Sequence, residues 1–351
     1  MTSQPNLPYE LVEYIIHLAV SDFSASARLA PTHDPHPLHY FLRSTSLVSS
    51  TFRSISQPLL LHNAFLTIKN MEGFITALGR AGTDARSVSS LSVGPENNGG
   101  AEWNEAAANE VAKLLGRLME SASELEEIEF LTVIPDWEGG WLDTPNKIKR
   151  LVFTHQRIQT TPSPAPPNLA PTSLTFHQPP ERPENFPTSR HISVLAGAFP
   201  TVTKLSITTS DFFPLAVFLE RLRNTPQPHL LSLHLEAHET SNRQGFITAN
   251  SNSLSWDTLE VLEELETHSL FLPPPGSEIT LPPTLKTVKV IRDPRKSAWK
   301  LDRAAVLGKV MEDVQGLNEL RVVATEEDDT LDGVRKLCEG AGVKFVVCAE
   351  Q

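Results

Sequence analysis

The sequence predicts an α/β protein: a small helical module at the N-terminus, followed by a long body built on a parallel sheet. Two observations carry this. The first 65 residues place apolar side chains at helical spacing. Past residue 80 a six-residue pattern, apolar-x-x-apolar-x-apolar, returns again and again, and its last three positions alternate as a strand with one buried face requires.

The helical part comes in two pieces. The first runs Leu7-Pro8-x-Glu10-Leu11-x-x-x-Ile15-Ile16. Pro8 suits a first helical turn, where its missing N–H costs nothing. Leu11, Tyr14 or Ile15, and Leu18 then recur at helical spacing. The second piece, Leu47 to Ile55, reads as another short helix with Leu47, Val48, Phe52 and Ile55 on one side. Pro58 ends it or opens the next turn, and Leu59, Leu60 and Leu61 add an apolar patch. Between the pieces, Asp22 to Pro37 is polar, carries Pro31, Pro35 and Pro37, and reads as a loop insertion.

Residues 5–65 resemble the F-box, a small helical module that docks on a Skp-type adaptor of a cullin-RING ubiquitin ligase. The match rests on the opening Leu-Pro-x-Glu-Leu-x-x-x-Ile and on Ser46-Leu47-Val48-Ser49-x-x-Phe52-Arg53. The resemblance implies adaptor contacts through Leu7, Pro8, Leu11, Ile15, Leu47, Val48 and Phe52. The competing reading is a plain helical cap on a larger domain.

The repeated pattern is carried by Val88-x-x-Leu91-x-Val93, Leu125-x-x-Ile128-x-Phe130 and Ile148-x-x-Leu151-x-Phe153. Val202-x-x-Leu205-x-Ile207, Leu230-x-x-Leu233-x-Leu235, Leu285-x-x-Val288-x-Val290 and Leu317-x-x-Leu320-x-Val322 follow. Two copies are weaker, Pro171-x-x-Leu174-x-Phe176 and Leu262-x-x-Leu265-x-Thr267. Successive copies are 23 to 37 residues apart. One such strand cannot bury its face alone; stacked copies share a continuous core. Parallel strands need crossovers of a dozen or more residues, often helical. Four crossovers show helical stripes: Glu102–Ser121 (Trp103, Ala107, Val111, Leu114, Leu115, Leu118), a helix opened by Pro214 (Leu215, Phe218, Leu219, Leu222), Leu301–Val314, and Leu331–Ala341 (Leu331, Val334, Leu337, Cys338, Ala341).

Residues 83–351 thus look like the irregular leucine-rich-repeat solenoid that follows the F-box in many such proteins, although the Asn or Cys after each strand of regular repeats is missing from most copies. A doubly wound α/β domain is the alternative; no Gly-rich phosphate loop follows the first strand. The residues between the apolar strand positions face away from the core by alternation: Ser92, Glu129, Val152, Thr175, Ser206, His234, Glu266, Lys289 and Arg321. This row is the expected target surface, with Glu129, His234, Glu266 and Arg321 as its candidate contacts. An ordinary solvated sheet face is the bland reading of the same row.

Composition limits the function classes. The 351 residues are 40% hydrophobic and 21% charged, a globular balance. Net charge is −12, and because residues 1–80 hold five basic and five acidic side chains, the whole excess lies beyond them. An acidic body repels phosphate backbones, so nucleic acid is not an expected partner. Two cysteines, Cys338 and Cys348, make neither a disulfide framework nor a zinc spacing. No charged-then-apolar leader and no run of about 18 apolar residues is present. A membrane partner is therefore not expected, and a cytoplasmic or nuclear location is.

Chemistry-bearing patterns are weak. His33, His36 and His39 recur at every third residue beside Asp34, but the segment is proline-broken and reads as a solvated loop, not a metal site. Glu236, His238 and Glu239 read as a loop after a strand, with an acid–base pair as the sharper alternative. Glu326-Glu327-Asp328-Asp329 suits a helix N-terminus. Cys338 lies on an apolar stripe and reads as packed. Residues 162–187 hold nine prolines, read as stiff crossover in preference to an SH3 or WW ligand, and Pro273-Pro274-Pro275-Gly276 reads the same way. No nucleophile motif or phosphate loop is found.

The resemblance to F-box proteins implies a non-enzymatic substrate receptor, without cofactor or metal, bridging a Skp-type adaptor of a cullin-RING ligase and an unidentified protein target. A repeat scaffold with no ligase role and an α/β hydrolase-like enzyme are the alternatives.

Overall fold

The computed structural model describes residues 8–27, 37–81, 88–94, 105–131, 141, 146–154, 168–177, 199–211, 215, 218, 229–239, 256, 258–291, 303–324 and 331–348. Within them the protein is α/β, with seven bounded α-helices and an eleven-strand parallel sheet whose strands follow sequence order. The chain divides into two compact units, residues 1–154 with 166–169, and residues 155–165 with 170–351. Leu7, His33, His36, Trp103 and the acidic run at 326–329 lie outside the described residues.

The first unit opens with α1 (Tyr9–Ala27), α2 (Pro37–Ser46) and α3 (Ser50–His62). Their shared core is Val12, Ile16, Leu42 and Ile55, with Val20, Phe41, Phe52, Leu59 and Leu60 packed around it. Three expectations are corrected here. Residues 22–27 continue α1 instead of forming a loop, and Pro37 begins α2, where a proline needs no N–H partner. Leu47, Val48 and Ser49 are not in a helix; they form the turn between α2 and α3, and Ser49 Oγ accepts the N–H of Phe52 at 3.3 Å as a helix cap. Pro58 neither ends nor begins a helix. It sits inside α3, which runs on to His62. The α2–α3 turn is held by Arg53 Nε donating to the Ser46 carbonyl (3.2 Å) and by a Thr45–Ser56 hydroxyl pair (2.8 Å).

The helical reading of 5–65 also gives way at its end. Asn63–Leu66 is a strand, β1, paired in parallel with β2 (Ser90–Val93). Leu61-x-x-Ala64-x-Leu66 has the repeat spacing, so the signal was present. Next comes α4 (Ile68–Ala81); at its start the Asn70 side chain reaches back, its Oδ1 accepting the Thr67 N–H at 2.7 Å. After β2 follow α5 (Glu105–Ser121), β3 (Glu127–Leu131) and β4 (Arg150–Thr154). Ala64, Leu91, Ile128 and Leu151 stand in register as one buried row; Leu66, Val93, Phe130 and Phe153 form a second. Phe130 stacks on Phe153 (5.7 Å) and meets the buried Trp141 edge-on (6.1 Å). Val111, Leu114, Leu115 and Leu118 bury the expected stripe of α5.

The second unit holds β5 (Ser173–His177), β6 (Lys204–Asp211), β7 (Ser232–Glu239), β8 (Glu264–His268), β9 (Thr287–Ile291), α6 (Arg303–Asp313), β10 (Glu319–Val323), α7 (Leu331–Ala341) and β11 (Lys344–Cys348). Leu174, Leu205, Leu233, Leu265, Val288 and Leu320 form one buried row that ends on Phe345. Each fully buried Leu contributes about 1.5–3 kcal/mol. All nine repeat copies are strands, β2 to β10. Residues 236–239, read from sequence as a loop, are the second half of β7.

Helices α6 and α7 pack on each other, and the Cys338 thiol lies 3.8 Å from Met311 Sδ. Burial raises the Cys338 pKa, in keeping with a packed thiol. The α7 stripe is narrower than expected: Leu331, Val334 and Cys338 are buried, whereas Leu337 and Ala341 are exposed. Gly342 stops α7 at φ 71°, and Val343 N then donates to the Cys338 carbonyl at 2.8 Å. The Pro273–Gly276 segment is a turn, with Ser277 N donating to the Pro274 carbonyl (3.1 Å) and Gly276 at φ 76°.

Candidate binding surfaces

Two kinds of surface stand out, one on the helices of the first unit and one on the strands of each unit. The first lies on α1–α3. Two apolar stripes run side by side along α1. Val12 and Ile16 face inward, while Leu11 (43% exposed) and Ile15 (48%) face water with Tyr14 and Leu18. Leu47 and Val48, on the α2–α3 turn, are 73% and 66% exposed. Of the large apolar side chains exposed among the described residues, all but Leu231, Val261 and Leu337 lie between Tyr9 and Val48. Exposed large apolar side chains are thus concentrated in the helical segment. Among the residues expected at an adaptor, Pro8, Leu11, Ile15, Leu47 and Val48 are exposed, but Phe52 is half-buried against the helical core.

The second surface is the face of the sheet opposite the buried rows. The register places the expected row as read. Ser92, Glu129 and Val152 align in the first unit; Thr175, Ser206, His234, Glu266, Lys289 and Arg321 align in the second. It is less open than alternation alone suggested. Ser92 and Val152 are buried, and Glu129 is half-buried, accepting hydrogen bonds from Ser92 Oγ (2.7 Å) and Thr154 Oγ1 (3.1 Å).

In the second unit the row is an ion-pair chain. His234 Nδ1 donates to Glu266 at 3.1 Å and Nε2 to Glu236 at 3.3 Å, and Lys289 Nζ reaches the other Glu266 oxygen at 2.5 Å. With both ring nitrogens donating to carboxylates, the imidazole is held as its cation. Burial opposes that charge, but the Glu236 and Glu266 carboxylates outweigh it and raise the His234 pKa to about 9. Burial likewise works against the charged form of Glu266, and is overcome by His234 and Lys289, which bring its pKa down to about 2. Glu236, read from sequence as a loop residue, lies on β7 and pairs with His234 two places before it on the same strand. Arg321 is exposed and donates to Glu319 at 2.9 Å.

The pairing follows a rule. An acid on one strand, or just ahead of it, meets a base at the matching place on the next: Glu126–Lys149, Glu127–Arg150, Glu263–Lys286, Glu266–Lys289 and Glu319–Lys344. Cross-strand pairs of this kind favour register, at a few tenths of a kcal/mol to about 1 kcal/mol each. They also mean that much of the charge on this face is already answered within the molecule.

Among the described residues no group of three or more His, Cys, Asp or Glu is placed to hold a metal ion, and no helix is long and apolar enough to cross a membrane. No protein-family model matches the chain, and no curated protein matches it.

Proposed function

We propose that this protein is a substrate receptor of a Skp-cullin-F-box-type ubiquitin ligase. Its α1–α3 segment docks on a Skp-type adaptor, and its strands, stacked as an irregular leucine-rich-repeat solenoid, present a protein target. The observation that carries the reading is the sorting of apolar residues in α1–α3. Val12, Ile16, Leu42 and Ile55 fill the interior, yet Leu11, Ile15, Leu47 and Val48 remain in water. Hydrophobic burial is the main force in association, and a small module has no reason of its own to leave these residues exposed.

In this role the protein performs no bond chemistry. It raises the effective concentration of a target's lysines beside a charged conjugating enzyme. It works without cofactor or metal, in the cytoplasm or nucleus. The outer sheet face is the target side, with Glu129 as its candidate contact in the first unit and His234, Glu266 and Arg321 in the second; the alternating acids and bases of the second unit suit a protein of mixed charge and not a polyanion.

The test is co-precipitation of the full chain with a Skp-type adaptor, wild type against Leu11→Asp/Ile15→Asp and Leu47→Asp/Val48→Asp. The wild type should bind and each double variant should lose at least about tenfold, or 1.4 kcal/mol, in affinity. Far-ultraviolet circular dichroism should stay unchanged, because the four side chains are exposed. Absence of wild-type binding would favour a repeat scaffold with no ligase role.

A further inference from the structure

The two ends of the strand order differ. β1 is contacted by α2, α3 and α4. At the other end, no strand lies beyond β11 among the described residues. Phe345, Val346, Val347 and Cys348 are all half-exposed, whereas the residues of β10 that pair with Phe345 and Val347, Leu320 and Val322, are buried.

The backbone of β11 has a definite parity. Lys344 N donates to the Asn318 carbonyl at 2.9 Å, and Ala324 N donates to the Cys348 carbonyl at 3.3 Å. In a parallel pair, alternate residues turn both polar groups to the same neighbour. Lys344, Val346 and Cys348 therefore serve β10, and the N–H and C=O of Phe345 and Val347 point out of the sheet. An apolar edge with outward donors and acceptors is a template for another strand.

We infer that β11 pairs antiparallel with β11 of a second copy, about a two-fold axis at Val346. The strand is complementary to itself in that register. Phe345 of each copy lies opposite Val347 of the other, and the two exchange N–H···O=C bonds, four across the junction. A large apolar side chain thus meets a small one on the core face, and Val346 meets Val346 on the outer face. The one charge of the strand, Lys344, falls opposite Cys348 and is already paired with Glu319 at 2.9 Å, so no like charges oppose. Closed two-fold pairing also uses up the edge, leaving nothing to propagate into a filament. A five-residue strand buries little, so the dimer is weak and its population depends on concentration.

Sedimentation velocity of the full chain over a concentration series reads the dimer directly. Val347→Pro removes only an outward N–H, so β10–β11 pairing survives and the dimer is lost; proline is tolerated at such edge positions. A second measurement does not rely on that variant folding. Val346 of the two copies would form a non-hydrogen-bonded pair with Cα atoms about 4.5 Å apart, inside the disulfide range of about 4.4–6.8 Å. In a Cys348→Ser background, Val346→Cys should give a covalent dimer on mild oxidation, and Lys344→Cys, offset from its own copy, should not. A chain that stays monomeric and does not cross-link overturns the proposal, as does a dimer that persists in folded Val347→Pro. Protection of the Phe345 and Val347 amides by a different protein would assign the edge to that partner instead.

Discussion

In α1–α3 the buried centre is Val12, Ile16, Leu42 and Ile55, and large apolar side chains stand in water around it. In the strands of the second unit the order is reversed: apolar residues fill continuous buried rows, and the outer face carries charges that pair with one another. Residue count alone does not explain the contrast. Leu11 and Leu47 lie outside the cluster that the helices bury among themselves. The strands need nothing further, since each supplies the next with apolar cover and often with a counter-charge. One region leaves apolar side chains in water and the other covers its own, and this is why the proposed docking role is given to the helices and the proposed presenting role to the sheet.

The sharpest way to break the contrast is to open the buried row. Leu265→Ala, at a position fully buried between Leu233 and Val288, should cost about 2–5 kcal/mol through lost burial and a cavity. The measurement is the midpoint of urea unfolding. A loss below about 1 kcal/mol would mean that the row is not a continuous core.

A smaller effect tests the outer face. Because the His234 pKa is raised to about 9 in the fold from its ordinary 6.5, its contribution is complete below about pH 6.5 and is lost as pH rises through about 9. Glu266, lowered to about 2 from 4.5, contributes above about pH 4.5 and loses that contribution as pH falls toward 2. The contact is shared, so it counts once. The stability gap between wild type and His234→Gln should therefore be widest between pH 4.5 and 6.5, on the order of 1–2 kcal/mol, and should close above pH 9. A gap that does not change with pH would show that the imidazolium is not what stabilises this face. The half-burial and mutual pairing of His234 and Glu266 mean that alanine at either position also changes stability.

The smallest effect should be a gain. Thr267 takes the place that Leu235 holds on β7 and Val290 holds on β9, is fully buried, and its Oγ1 has no hydrogen-bond partner among the described residues. Thr267→Val replaces that hydroxyl with a methyl of the same shape and should stabilise by about 1 kcal/mol, seen as a higher urea midpoint with unchanged slope. A destabilised variant would mean that the hydroxyl has a partner.

Much of the sheet was legible in the residues. A strand turns its side chains to alternate faces by covalent geometry, so six residues suffice to mark Leu91, Ile128 or Val288 as inward, and the row from Ser92 to Arg321 as outward. β1 was missed because its Leu61-x-x-Ala64-x-Leu66 follows directly on a helix, and helical spacing was read through it. β11 was missed because Gly342 stands where the pattern's first apolar residue belongs, and Val343 supplies the buried side chain one place later.

What the sequence by itself determined was therefore local: strand alternation, the helical stripes, and the pairing of an inward with an outward row. Only the tertiary structure decided which of the two adjacent stripes of α1 faces in, since Leu11 and Ile15 are as apolar as Val12 and Ile16 and the choice depends on where α2 and α3 lie. It also decided the charge state of His234. Glu236 is two residues away and Glu266 thirty-two, and the second reaches the imidazole only because β8 pairs beside β7. Periodicity is set by the bonds within a segment, whereas burial and ionisation are set by what the fold brings against it.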